Sequence, residues 1–237
     1  DWWGKSAATD RIMQAVPVKT PGSSFIYSDL NFIALGLLVE KLTGQTLDVY
    51  AQAAILQPLS MTQSGFLPPA AMQPRIAPTQ YDEHGTMLRG VVHDPTARRM
   101  NGVAGNAGLF STAEDVMRYA QALLDQRAGR PNAFPLSRAL LLRMTTPQQP
   151  TGQTSLRGFG WDIASPYATP RGERLSHQSF GHTGFTGTSL WIDPENDCYV
   201  FILTNRVHPT AGYSGVHLRH EAATATGEAT GLPLAVP

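Results

Sequence analysis

Two short stretches of this 237-residue chain bring together side chains that can do chemistry. Tyr27-Ser28-Asp29 sets a phenol, a hydroxyl and a carboxyl side by side, at the entrance to an apolar run. His182-Thr183-Gly184 adds an imidazole, a second hydroxyl and a residue with no side chain, just before the strand-like TSLWID. A phenol with a pKa of about 10 and an imidazole near about 6.5 can both carry protons; neighbouring charge decides in which direction. Each triplet also has a simpler account. Ser28 or Asp29 can cap a helix while Tyr27 packs, and His182 can sit in a loop.

Other candidates are poorer. His93-Asp94 lies in an irregular segment and reads either as a pair holding that loop or as part of a site, since loops often carry function. His217 and His220 stand three apart, but neither H-E-x-x-H nor H-x-x-E-H occurs, so a solvated helix face fits better than a metal site. The glycines of Gly102-Val-Ala-Gly105-Asn-Ala-Gly108 follow no strand, which points to turns or close packing rather than a phosphate cradle. G-x-S-x-G and the P-loop pattern are absent. Cys198, the single cysteine, sits in an apolar run and reads as a small buried side chain; Trp161 and Trp191 read as core.

The elements that must carry these residues can be traced by period and punctuation. LNFIALGLLVEKLTG is apolar on most sides and ends at Gly44, the pattern of a buried helix with a glycine C-cap. Thr46 can cap a second helix, LDVYAQAAIL, which stops before Pro58. Residues 60–110 carry many prolines and glycines and little periodicity. Ser111-Thr-Ala-Glu114 is a capping box ahead of an amphipathic helix, and SRALLLRM makes a shorter one. Strand character follows in FGWDI, TSLWID and YVFILTN, the last two flanking a hairpin at Pro194–Asp197, and GVHLRHEAATATGEA closes the chain as a helix. Helices precede an antiparallel sheet, so the expected fold is α+β: one domain over 1–237, with a mainly helical region in 1–150 and strands plus a final helix in 151–237.

Composition narrows the function classes. Lys and Arg total 18 and Asp and Glu total 18, so no net charge favours nucleic acid or an anionic membrane. No apolar run reaches the length of a membrane span.

Three blocks, in order, resemble one family. PGSSFIYSDLNFIALGLLVEKLTGQTLDVYAQAAILQPLSM is similar to the stretch of the serine β-lactamase/penicillin-binding-protein superfamily that holds its Tyr-x-Asn motif. VHDPTARRMNGVAGNAGLFSTAEDVMRYAQALL resembles the later helical segment of class C β-lactamases and related esterases and peptidases. GHTGFTGTSLWIDPENDCYVFILTN is similar to the Lys/His-Thr-Gly strand and its hairpin. The resemblance implies acyl transfer to water through a serine acyl-enzyme on a peptide, ester or lactam carbonyl, with no cofactor and a small-molecule or peptide substrate. Tyr27 would act in proton transfer, with Asp29 and His182 beside the chemistry. Thr183, Gly184 and Phe185 would bind substrate on an edge strand, the Phe185 N–H serving as an oxyanion donor. Family habit implies the periplasm or cell envelope.

Two departures from the family pattern stand out. Asp29 replaces asparagine and His182 replaces the lysine of β-lactamases, changes that weaken recognition of an anionic β-lactam and favour esters or peptide amides. The family's Ser-x-x-Lys is missing: Trp2, Val16 and Leu38 stand three before Lys5, Lys19 and Lys41. The expectation is a truncated chain whose nucleophile lies upstream, inactive alone, with an unpaired sheet edge, exposed apolar helix surface and poor solubility. The alternative is a non-catalytic homologue that binds peptidoglycan peptides.

Overall fold

A computed structural model describes residues 2–235. The fold is α+β and divides into two compact units. One holds the residues up to Asp115 together with His208–Ala211; the other holds Val116–Val207 and the residues from Gly212 on. The boundary falls inside a helix of residues 113–128, well before residue 150, so the later helices belong with the sheet.

The first unit is built on α1 (Gly4–Met13), α2 (Asp29–Thr43) and α3 (Leu47–Ala51). The first of these has a weak apolar pattern and no side-chain cap, which is why sequence reading passes over it. Its Ala8 packs with Ile33, Val92, Ala97, Met100 and Ala104 in one core. Glu40 fastens the three helices: its carboxylate pairs with Lys5 at 2.5 Å and accepts from the Leu47 N–H at 2.8 Å. Helix α2 ends as expected, on Gly44 in the left-handed region at φ 68°. It is not the buried helix its composition suggests, however. Only Ile33 and Gly36 are buried, and Leu35, Leu38 and Leu42 are 52%, 49% and 77% exposed. After α3 the chain passes into a π-helical turn over Gln52–Leu56, so the second expected helix is present with its latter half widened.

The irregular stretch is secured at one end by a buried carboxylate. Asp115 accepts from the Gln63 N–H and the Ser64 hydroxyl, both at 2.8 Å, while α4 (Pro95–Arg99) forms the stretch's one α-helix. The expected capping box is shifted by one residue. Helix α5 (Ala113–Ala128) is capped by Thr112, whose Oγ1 accepts from the Asp115 N–H at 3.4 Å, and Ser111 instead bonds Ser64 at 2.7 Å.

In the second unit, α5 and α6 (Arg138–Met144) lay Ala120, Leu123, Leu124 and Leu141 against Trp161, Ile163, Phe180 and Ile192. The sheet is an antiparallel meander of β1 (Leu156–Arg157), β2 (Asp162–Ala164), β3 (Phe180–Thr183), β4 (Thr188–Asp193) and β5 (Cys198–Leu203) in that order. The β4–β5 hairpin closes on Asp193, fully buried, which accepts from the Ser176 N–H and hydroxyl at 2.6 Å each and from Asn196 Nδ2 at 2.8 Å. Helix α7 (Val216–Ala229) follows, and its Ala223 joins Leu175, Trp191 and Val200 in a second cluster. Trp161 and Trp191 are core residues, as read. Cys198 is half-buried, and burial pushes its thiol up to about 11, far from a reactive thiolate.

Candidate active site

In the first unit, Ser28 takes the N-cap position of α2 with extended backbone, yet its side chain makes no capping bond. The simple reading of Ser28 as a cap is therefore only half met, in backbone but not in side chain. Asp29 opens the helix, where a carboxylate suits the dipole. Its pKa is nonetheless raised, by partial burial first and by the nearby Asp94 carboxylate second, against a lowering hydrogen bond from Asn106. Tyr27 is 50% exposed.

Asn106 reaches Asp29 because glycines let its loop lie on α2. A Cβ on Gly105 would fall 1.8 Å from the Phe32 carbonyl oxygen, and one on Gly36 would meet Gly105 at 3.0 Å. The glycine block is thus close packing of backbone on helix, as anticipated. Asn106 itself escaped sequence reasoning; only its place inside that block could have flagged it. His93 and Asp94 hold their segment through separate partners. His93 Nε2 lies 2.9 Å from Gln80 Oε1, and Asp94 caps α4 by accepting from the Ala97 N–H at 2.7 Å. The charge of Asp94 also reaches Asp29.

In the second unit, His182 and Thr183 end β3, which is the central strand and not the edge strand expected. Its pairing with β2 is a single register, Asp162 opposite Gly181, so on that side the ladder stops before His182. The imidazole is held at both nitrogens: Nδ1 lies 2.9 Å from the Thr183 carbonyl oxygen and Nε2 2.9 Å from Arg157 Nη2. Arg157 Nη1 in turn donates to the buried Asp162 at 3.1 Å. The His182 pKa is lowered, chiefly by burial and further by the Arg157 charge, against raising contributions from the Thr183 carbonyl and Asp162.

The turn after β3 is tight. The Gly184 N–H donates to the Thr188 carbonyl at 2.7 Å, and a Cβ on Gly184 would come within 2.3 Å of Thr188 Oγ1. Phe185, 66% exposed, is steadied by Arg206, whose Nε donates to its carbonyl at 2.7 Å and whose guanidinium lies 4.4 Å from its ring centre. Arg219 of α7, 4% exposed, donates to the carbonyls of Gly184 (3.3 Å), Thr188 (2.9 Å), Ser214 (3.1 Å) and Gly215 (3.1 Å). Sequence reading weighed the histidines on either side of Arg219 and missed the arginine that braces this turn. His220 itself bonds the Thr169 carbonyl at 2.9 Å, and among the described residues no cluster suited to a metal occurs.

Comparison with known proteins agrees with this architecture. The profile of the family described as Beta-lactamase matches residues 1–224. An Escherichia coli protein described, by provisional assignment, as a D-alanyl-D-alanine carboxypeptidase is 35% identical over 207 residues, 79% of this chain and 46% of its own length. Simvastatin synthase from Aspergillus terreus superposes with a TM-score of 0.68 at 20% identity, over 95% of this chain and 60% of that one. A Mycobacterium bovis β-lactamase structure gives 0.64 at 23% identity, over 91% of this chain and 68% of that one. The chain belongs to the beta-lactamase family. It spans about half the length of the curated relatives it matches.

Proposed function

We propose that this chain carries Tyr27 and the His182–Phe185 strand end of an acyl-transferring serine hydrolase acting on an ester or peptide amide. The nucleophilic serine and its lysine would be supplied by residues outside these 237. The observation that carries the reading is the collinear set of family blocks within a family match over residues 1–224. The serine oxygen attacks the carbonyl and Tyr27, beside the lysine, takes its proton; the leaving group departs with a proton and water then releases the acyl group. The Phe185 N–H is one oxyanion donor, and the bracing of its turn by Arg206 and Arg219 supports that role. Thr183 offers a hydroxyl and Gly184 a bare backbone to the substrate, while Asp29 stands one residue past Ser28 as a partly buried acid. By family habit the full-length protein would work in the periplasm or cell envelope. Among the described residues no helix is long and apolar enough to cross a membrane.

The test is to express the full reading frame and compare a short-chain aryl ester with a cephalosporin. The expected outcome is an in-frame Ser-x-x-Lys and a kcat/KM for the ester at least about a hundredfold above that for the cephalosporin. Comparable efficiencies would remove the substrate preference. An intact start without Ser-x-x-Lys would replace the enzyme with the peptide-binding homologue.

A further inference from the structure

The His182 imidazole has little choice of protonation state. A guanidinium only donates and a carbonyl oxygen only accepts. With Arg157 Nη2 at Nε2 and the Thr183 carbonyl at Nδ1, both contacts are satisfied by a proton on Nδ1 and a lone pair on Nε2. Charging the ring would place a second proton on Nε2, pointed at an Arg157 N–H. Protonation must therefore break that bond.

Arg157 is itself restrained. Its side chain is 11% exposed and its other amino group pairs with Asp162, whose side chain is 2% exposed. Asp162 is fixed in turn by the Ser165 hydroxyl at 2.6 Å and the Ser165 N–H at 3.1 Å. Arg157 from β1 and Asp162 from β2 both bear on the charge of the imidazole, and β4 presents Leu190 opposite His182. The arginine and aspartate charges cancel, so this pair adds no net charge. A lysine in the same place would add a cation at every pH of interest.

We propose that Arg157 is a positioning residue that fixes His182 as the neutral Nδ1–H tautomer, so that this strand end serves an acyl group without negative charge, an ester or an internal amide, rather than a terminal carboxylate. The substrate half rests on the proposed function; the tautomer does not. The lowered pKa of His182 points the same way, because burial and the Arg157 charge both resist the imidazolium.

Nitrogen-15 NMR of the labelled full-length protein tests the tautomer, with the His182 signals assigned through His182→Gln. The expected spectrum at pH 7 has a protonated Nδ1 and a bare Nε2, with titration below the ordinary pH of about 6.5. Arg157→Met should release Nε2 and move the titration upward, and Arg157→Lys should restore part of the shift. An Nε2–H tautomer or an imidazolium at pH 7 in the unmodified chain overturns the proposal, whether or not the variants fold. In the full reading frame, a peptide capped as its C-terminal amide should be cleaved at the same internal amide roughly tenfold or more faster, by kcat/KM, than that peptide with a free carboxylate. Equal or reversed preference overturns the substrate half. Failure to form any acyl-enzyme overturns the proposed function and leaves the tautomer result standing.

Discussion

Asp29 is a carboxyl group held against its own preference. Its folded pKa lies above the ordinary value, so the folded state binds that proton more tightly than the unfolded chain does. The stability that follows is present below the unfolded pKa and is lost as pH rises through the folded pKa, leaving a constant penalty at neutral pH. Asp29→Asn should therefore stabilise the chain at pH 7, by about a few tenths of a kcal/mol because the site is largely exposed and screened. Urea unfolding at pH 7 and at pH 3 reads this directly: the gain should vanish at the lower pH, and a variant less stable at pH 7 would contradict it. Tyr27, Asp29 and the His182 triplet were legible as residues because they stand in short contiguous motifs. Asn106, Arg157 and Arg219 were not, because what they touch is remote in sequence. The Arg157–His182 bond spans 25 residues and the Arg219–Gly184 bond spans 35.

At the scale of elements, the approach of the Gly102–Gly108 loop to α2 is the contact that delivers Asn106 to Asp29. Gly105→Ala puts a methyl into the Phe32 carbonyl, and backbone cannot yield as a side chain can. We expect a loss of about 3 kcal/mol or more, the upper range for single substitutions, measurable by denaturant unfolding. A loss below about 1 kcal/mol would mean the loop does not rest there. Elements with strong local signals were read correctly: α2 with its Gly44 cap, α5, α6 and the β4–β5 hairpin; α7 was read too, although its apolar pattern is as weak as that of α1. Others without were missed or displaced. The weak apolar pattern of α1 hid it, and β3 is a four-residue strand whose glycine and histidine look like loop. The cap of α5 moved to Thr112 because Asp115 makes tertiary bonds to Gln63 and Ser64, which no capping pattern foretells.

For the molecule as a whole, the family was readable because three blocks keep their order, and the truncated reading anticipated exposed apolar helix surface where composition alone pointed to burial. An apolar composition argued that α2 is buried, yet its leucines lie bare, and among the described residues β5 pairs with β4 alone. A row of unpaired backbone groups beside exposed Leu203 is a template for association. The 237-residue chain should therefore self-associate with rising concentration, and sedimentation velocity should show it. A single monomeric species with one cooperative unfolding transition would contradict this.

The central claim is that Tyr27 works in acyl transfer on a serine. Intact mass measurement of the full-length protein, quenched during turnover of an aryl ester, tests it most directly when paired with Tyr27→Phe. The account predicts an acyl adduct on the unmodified protein and a kcat lowered about a hundredfold or more in the variant, with KM little changed. No adduct, or a Tyr27→Phe protein as active as its parent, would contradict it.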